Sequence, residues 1–282
     1  MMSTTNPYLV DVDWLFSRMD DPSLSIVDGS WYLPNMQRDG RKEYDSQHIP
    51  GAVFFDIDAV VEPGSNLPHT LASPETFARH AGALGISHED TIVVYDGMGF
   101  FSGPRVWWNF RTMGATKVVL LEGGFPAWLE ARLPVESGTA PIYPKLFVST
   151  PNAQDTVSFD TMRTLVDSGE MQILDARPEG RFAGRDPEPR AGVRAGHMPG
   201  ALSLPFSELS QDGKLLDADA LRQKFDEAGV DLFKPVVTTC GSGVTAAALT
   251  LALETVGQHN HRLYDGSWAE WGSASDTPIE KS

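Results

Sequence analysis

The sequence predicts an α/β protein built from two tandem domains, each a small parallel sheet flanked by helices on both faces. Three observations predict it. The chain has 282 residues, with 41% hydrophobic and 21% charged side chains, enough apolar material for two cores at about 150 residues per domain. A set of landmarks occurs twice in the same order. Between the landmarks lie segments with helical spacing, so strands and helices alternate, the pattern of parallel sheets with crossover helices.

The elements follow in chain order. Residues 25–28 (SIVD) form a short apolar run ending in an acid, as a buried parallel strand does, and residues 46–52 read SQHIPGA. Residues 74–84 have helical spacing; residues 92–96 (IVVYD) are a strand with a glycine-rich turn behind it; residues 118–128 read VVLLEGGFPAW. The second set repeats this with QILD at 172–175, AGHMPGA at 195–201, a helix over 219–228, the strand VVTTC at 236–240 and RLYDGSWAEW at 262–271. Residues 133–157 carry Pro134, Pro141, Pro144 and Pro151 with little periodicity, which suits an extended connector on the surface. The expected division is a first domain over 1–137, a linker over 138–156 and a second domain over 157–282. One continuous doubly wound sheet is the alternative, and the duplicated landmarks favour two domains.

Composition excludes several function classes. With 38 acidic and 22 basic side chains the net charge is −16, which repels nucleic acid and anionic membranes, so neither is an expected partner. The first residues, MMSTTNPYLVDVDW, show no basic segment followed by an apolar one, and the most apolar later run, 246–253, is far short of the ~20 residues a bilayer needs. The expected location is the cytoplasm. Cys240 is the only cysteine, which excludes an intramolecular disulfide, a CxxC pair and every multi-cysteine zinc pattern. His259 and His261 lack a third ligand nearby, so no metal is expected. The turn DGMGFFSG at 96–103 has the wrong glycine spacing for a dinucleotide, and no cofactor is expected. Trp107, Trp108, Phe100 and Phe101 read as packing residues.

The chemistry is expected at residues 240–246, CGSGVTA. A buried strand delivers Cys240 to its carboxyl end, two glycines allow a tight turn, and good helix formers follow. The loop N–H groups and the positive end of the next helix would stabilise a thiolate, making the sulfur a nucleophile. A buried inert cysteine is the alternative, and such a residue needs no Gly-Ser-Gly turn.

The tandem HIPGA and HMPGA segments, Asp96 where the second copy has Cys240, and the CGSGVTA loop together resemble the rhodanese superfamily, in particular its 3-mercaptopyruvate-using branch. The likeness spans nearly the whole chain. It implies two rhodanese-like domains, a catalytically silent first domain, and a second whose cysteine accepts a sulfane sulfur as a persulfide. Thiosulfate-using members typically carry cationic side chains directly after the cysteine, whereas Gly241 and Ser242 are neutral, which favours mercaptopyruvate. Cysteine phosphatases close their loop with an arginine; here the closing positions are Thr245, Ala246 and Ala247.

The resemblance also assigns residues. Arg181 and Arg190, in a loop with four arginines, are the expected ligands of the donor carboxylate, for which a guanidinium fork is suited. Gly241, Gly243, Val244 and Thr245 are expected to line the substrate. Arg177 and Arg185 read instead as partners of Glu179, Asp186 and Glu188 on a solvated loop. Ser242, with His48 from HIPGA and Asp39 before it, matches a proposed Ser-His-Asp arrangement for the proton needed when enolpyruvate leaves. His48 and His197 share their place before a Pro-Gly turn, which equally fits a structural role. The expected partners are a small sulfur donor and cyanide, a thiol or thioredoxin as acceptor. Thiosulfate:cyanide transfer and a noncatalytic persulfide carrier are the competing readings.

Overall fold

The computed structural model describes residues 6–139 and 141–282. Residues 1–5, part of the start read for a leader, lie outside the described residues. The chain divides into two compact units. One comprises the chain up to Pro63 with Leu71–Asn152 and Asp212–Leu215; the other comprises Gly64–Thr70, Ala153–Gln211 and Leu216–Ser282. Each unit thus takes a short segment from the opposite half of the sequence.

In the first unit the strands are β1 (Leu9–Val10), β2 (Leu24–Asp28), β3 (Val53–Phe54), β4 (Thr91–Tyr95) and β5 (Val118–Leu121). They form a sheet of order β1-β5-β4-β2-β3 with every pair parallel. Its helices are α1 (Val12–Phe16), α2 (Gly40–Ser46), α3 (Pro74–Ala83), α4 (Gly103–Thr112) and α5 (Gly124–Glu130). In the second unit β6 (Thr156–Val157), β7 (Gln172–Asp175) and β8 (Leu202–Ser203) join β11 (Val236–Thr239) and β12 (His261–Tyr264) in the order β6-β12-β11-β7-β8, again all parallel. Between β8 and β11 the chain runs through β9 (Ser210–Gln211), then β10 (Lys214–Leu215), which lies in the segment that the first unit takes, and back into the second unit's helix α8 (Ala218–Glu227). The other helices of this unit are α6 (Phe159–Ser168), α7 (Glu179–Phe182), α9 (Ala246–Thr255) and α10 (Ser267–Trp271). The two sheets have the same strand order, one the counterpart of the other.

The central strands are β-branched and buried on both faces, so they read as continuous apolar runs rather than alternating ones. The helix behind each glycine-rich turn is enclosed: Gly103–Phe110 of α4 and Ala246–Leu253 of α9 are buried without a solvent-facing stripe. Short side chains let α9 pack closely. Residues 133–139 and 141–155 contain neither helix nor strand, and most of their side chains from 135 onward are exposed. Phe147 anchors this run against Phe77 and Phe110, with ring centroids 5.4 and 6.0 Å away.

The acids that close the matching strands β2 and β7 have different partners. Asp175 is buried against the Arg177 guanidinium at 2.7 Å. Asp28, also buried, accepts from the amide of Ser30 at 2.9 Å, and burial pushes its pKa up to about 6 against the opposing hydrogen bonds of Ser30 and Tyr95. A raised folded-state pKa means that the folded protein binds this proton more tightly than the unfolded chain. The stabilising contribution is therefore complete below about pH 4 and is lost as pH rises through about 6, on the order of 3 kcal/mol in all. Asp28→Asn is expected to raise the urea midpoint at pH 7.5 relative to the parent protein and to leave it nearly unchanged at pH 4. A variant less stable than the parent at pH 7.5 would contradict this.

Candidate active site

Strand β11 ends at Thr239, so Cys240 emerges at the carboxyl edge of the second sheet, where parallel α/β folds place their sites. The thiol is buried, at 2% exposure. Gly243 has φ +80°, which a side chain would strain. Gly241 is tight for another reason: a Cβ there would stand 3.0 Å from Nη2 of Arg181. The two glycines thus serve the turn and the close approach of a cation. Val244 is buried, and Thr245 sits immediately before α9.

Several amides of this loop are open. Among the described residues, those of Gly241, Ser242, Val244 and Thr245 meet no acceptor. The matching turn of the first unit shows what such amides do. There the Asp96 carboxylate accepts from the amides of Met98 at 2.8 Å, Phe101 at 2.8 Å and Gly103 at 2.7 Å. The same kind of turn that gathers N–H groups around a carboxylate in one unit carries a thiol in the other.

Arg181, on the single turn of α7, donates to Glu188 and lies beside Gly241. Its Nε is buried and meets no acceptor among the described residues, leaving part of the fork available to a ligand. Glu188 is shared: it also accepts from Arg177 at 2.8 Å. Arg177 is not on a solvated loop, as its sequence context suggested. It is buried, pairs with Asp175 and Glu188, donates to the carbonyl of Gly196 at 2.8 Å and lies 4.3 Å from the centroid of a Trp268 ring. Burial draws its pKa down, and the charges of Asp175 and Glu188 outweigh this, leaving it raised. The cluster of two acids and two arginines holds the Arg181 side chain in place. Arg185 pairs with Glu179 at 2.7 Å on the surface, as its sequence context indicated, and Arg190 is half-buried two residues past Glu188.

Ser242 is buried, and its hydroxyl lies 3.0 Å from Nδ1 of His69. His69 belongs to Gly64–Thr70, the segment of the first half that the second unit takes, and is itself buried with φ +58°. The expectation that His48 serves Ser242 is corrected here. His48 is fully buried within the first unit; its Nδ1 donates to the carbonyl of Tyr44 at 2.7 Å and its Nε2 faces Glu136 at 3.2 Å. Its ring stacks on Tyr44 at 3.9 Å, and its backbone bridges Glu136. His197 repeats this in the second unit: it stacks on Phe182 at 3.9 Å, Nδ1 donates to the Phe182 carbonyl at 2.8 Å, and its backbone bridges Glu280. Both histidines tie a later chain segment to their unit. Asp39 is likewise structural. It is exposed, caps α2 by accepting from the Lys42 amide at 3.1 Å, and Lys42 holds its carboxyl below the usual range.

No sequence motif singles out His69, and one weaker signal is present. The stretch from 55 to 73 is long for a connection without helix or strand in a compact domain, and such loops are disproportionately functional. Among the described residues, no group of three or more His, Cys, Asp or Glu is placed to hold a metal ion, and no helix is long and apolar enough to cross a membrane.

Comparison with known proteins agrees with the geometry. The model of the rhodanese-like domain matches residues 11–131 and again 158–274. The chain belongs to the rhodanese family. It is 42% identical to the 3-mercaptopyruvate sulfurtransferase of Escherichia coli K12, over 99% of each chain. It is 40% identical to the mitochondrial thiosulfate/3-mercaptopyruvate sulfurtransferase 1 of Arabidopsis thaliana, over 99% of this chain and 79% of that one. Among solved structures it resembles SseA from Escherichia coli, described as a 3-mercaptopyruvate sulfotransferase with the rhodanese fold. That match has a TM-score of 0.86 and 40% identity, and covers 93% of this chain and 98% of SseA. Two rhodanese domains with parallel sheets are thus common to the chain and this relative.

Proposed function

We propose that this protein is a 3-mercaptopyruvate sulfurtransferase whose second domain, residues 157–282, is catalytic and whose first, residues 1–137, is silent, joined by a linker over 138–156. The observation that carries this reading is the meeting of a lone cysteine, a turn of open amides and an arginine with a spare buried donor beside Gly241.

The Cys240 thiolate attacks the sulfur of mercaptopyruvate. The carbon–sulfur bond breaks, its electron pair leaves with the enolate of pyruvate, and Cys240 carries a persulfide. Ser242, with His69 at its hydroxyl, supplies hydrogen bonding or a proton to the leaving enolate. Arg181 and Arg190 hold the donor carboxylate, and Gly241, Gly243, Val244 and Thr245 form the wall and the amide cup. A thiophile then takes the outer sulfur and restores the thiolate, so no oxidant is consumed. Cyanide, a small thiol or reduced thioredoxin would serve, and the reading places the protein in the cytoplasm. In the silent domain Asp96 stands where the nucleophile would be.

Thiosulfate is the competing donor, since the Arabidopsis relative is named for both. A steady-state comparison of the two donors with cyanide as acceptor is expected to give the higher kcat/KM for mercaptopyruvate, because Gly241 and Ser242 offer no cation to a doubly charged anion. A higher value for thiosulfate would transfer the assignment. Absence of pyruvate release, with sulfur accepted from a persulfide donor, would make the protein a carrier.

A further inference from the structure

Residue 267 differs in kind from its counterpart in the first domain. Both domains turn from the last central strand into a short helix, through EGGFPAW at 122–128 and DGSWAEW at 265–271. In the first, Gly124 takes φ +55°, where glycine is at no disadvantage, and a Cβ there would stand 2.4 Å from the carbonyl oxygen of Asp96. In the second, the corresponding residue is Ser267, with φ +50°. A non-glycine residue pays a conformational cost in this region, and such cost persists where the surroundings impose it. Here the surroundings are the nucleophile's own backbone. The Ser267 hydroxyl is fully buried, donates to the carbonyl of Tyr264 at 2.9 Å and accepts from the amide of Cys240 at 3.2 Å. The next two amides, of Trp268 and Ala269, donate to the carbonyls of Cys240 and Gly241, each at 2.9 Å. The first domain keeps only part of this clamp, Phe125 donating to the Asp96 carbonyl at 3.0 Å, and has no hydroxyl at residue 124.

We propose that Ser267 is a positioning residue for Cys240: its strained backbone brings the hydroxyl to the cysteine amide and fixes the main-chain direction from which the sulfur enters the loop. This rests on Cys240 being the sulfur-accepting nucleophile. Without the hydroxyl the cysteine amide and the Tyr264 carbonyl lose their common partner, the Cys240 peptide can turn, and the sulfur leaves the point where loop amides and donor converge. The donor's carboxylate ligands are untouched.

The test separates geometry from stability by comparing Ser267→Ala with Ser267→Gly. Alanine keeps the backbone strain and loses the hydroxyl; glycine loses both, and the first domain folds with glycine at this place. We expect both variants to show kcat for sulfur transfer from mercaptopyruvate to cyanide reduced about 10- to 100-fold, with the donor KM within threefold of the parent. We also expect slower alkylation of Cys240 by iodoacetamide, with its pH midpoint displaced, while Ser267→Gly unfolds at a urea concentration equal to or above that of Ser267→Ala. Parent-like kcat and alkylation profile in Ser267→Gly would overturn the proposal, since activity would then follow relief of strain rather than the hydroxyl. If the parent protein itself transferred no sulfur from mercaptopyruvate, the functional reading would fail, and the alkylation comparison would still decide the role of Ser267.

Discussion

Replacing Cys240 with serine is expected to abolish sulfur transfer, lowering kcat by roughly 10⁴-fold or more, because the oxygen nucleophile cannot carry a sulfane sulfur between two molecules. The protein should remain folded, since serine is of similar size and the surrounding turn is held by Trp268 and Ala269 through backbone bonds. Intact mass after donor treatment checks the covalent step directly. The parent chain should gain about one sulfur atom and lose it again on addition of cyanide, whereas Cys240→Ser should gain none. A sulfur adduct on the serine variant would place the transfer elsewhere in the chain. With a single cysteine in the sequence there is no second thiol to confuse the result.

The second large effect is expected at Arg181. Removing its guanidinium takes away charge-assisted hydrogen bonds to the donor carboxylate worth about 1.5–3 kcal/mol each, so Arg181→Ala should raise KM for mercaptopyruvate roughly 10- to 150-fold with a smaller change in kcat. Arg181→Lys should recover only part of this, because an ammonium offers charge without the planar fork. Glu188 keeps its partner Arg177 in both variants, so the buried carboxylate is not stranded and the fold should survive. Parent-like KM in Arg181→Ala would remove this residue from the binding assignment and leave its pairing with Glu188 as its function.

The division of legible from illegible features follows from range along the chain. The strands, the repeated landmarks and the Cys240 turn are local patterns: apolar runs of four or five residues, Pro-Gly turns, and a helix of small side chains starting just behind a glycine pair. Each states its conformation within a dozen residues. Partnerships between distant side chains are not written that way. Only the family resemblance offers His48 to Ser242; its recurrence before a Pro-Gly turn, with His197 doing the same work on Phe182 and Glu280, fits a scaffold residue. His69 stands outside any repeat and meets a hydroxyl 173 positions further on. Within one arginine-rich stretch, Arg177 and Arg181 are told apart in the sequence only by the family resemblance. Burial between Asp175 and Glu188 distinguishes the first, and an unused donor beside Gly241 the second.

Gly64–Thr70 has a consequence for anyone who would cut the chain in two. A fragment starting at Ala153 would bring along the sulfhydryl, the guanidinium groups and the whole parallel sheet, but not the imidazole that faces Ser242. The duplicated halves are therefore no longer interchangeable modules. One carries the lone thiol while the other contributes the imidazole at Ser242, so a cut between them divides side chains that meet in the folded chain.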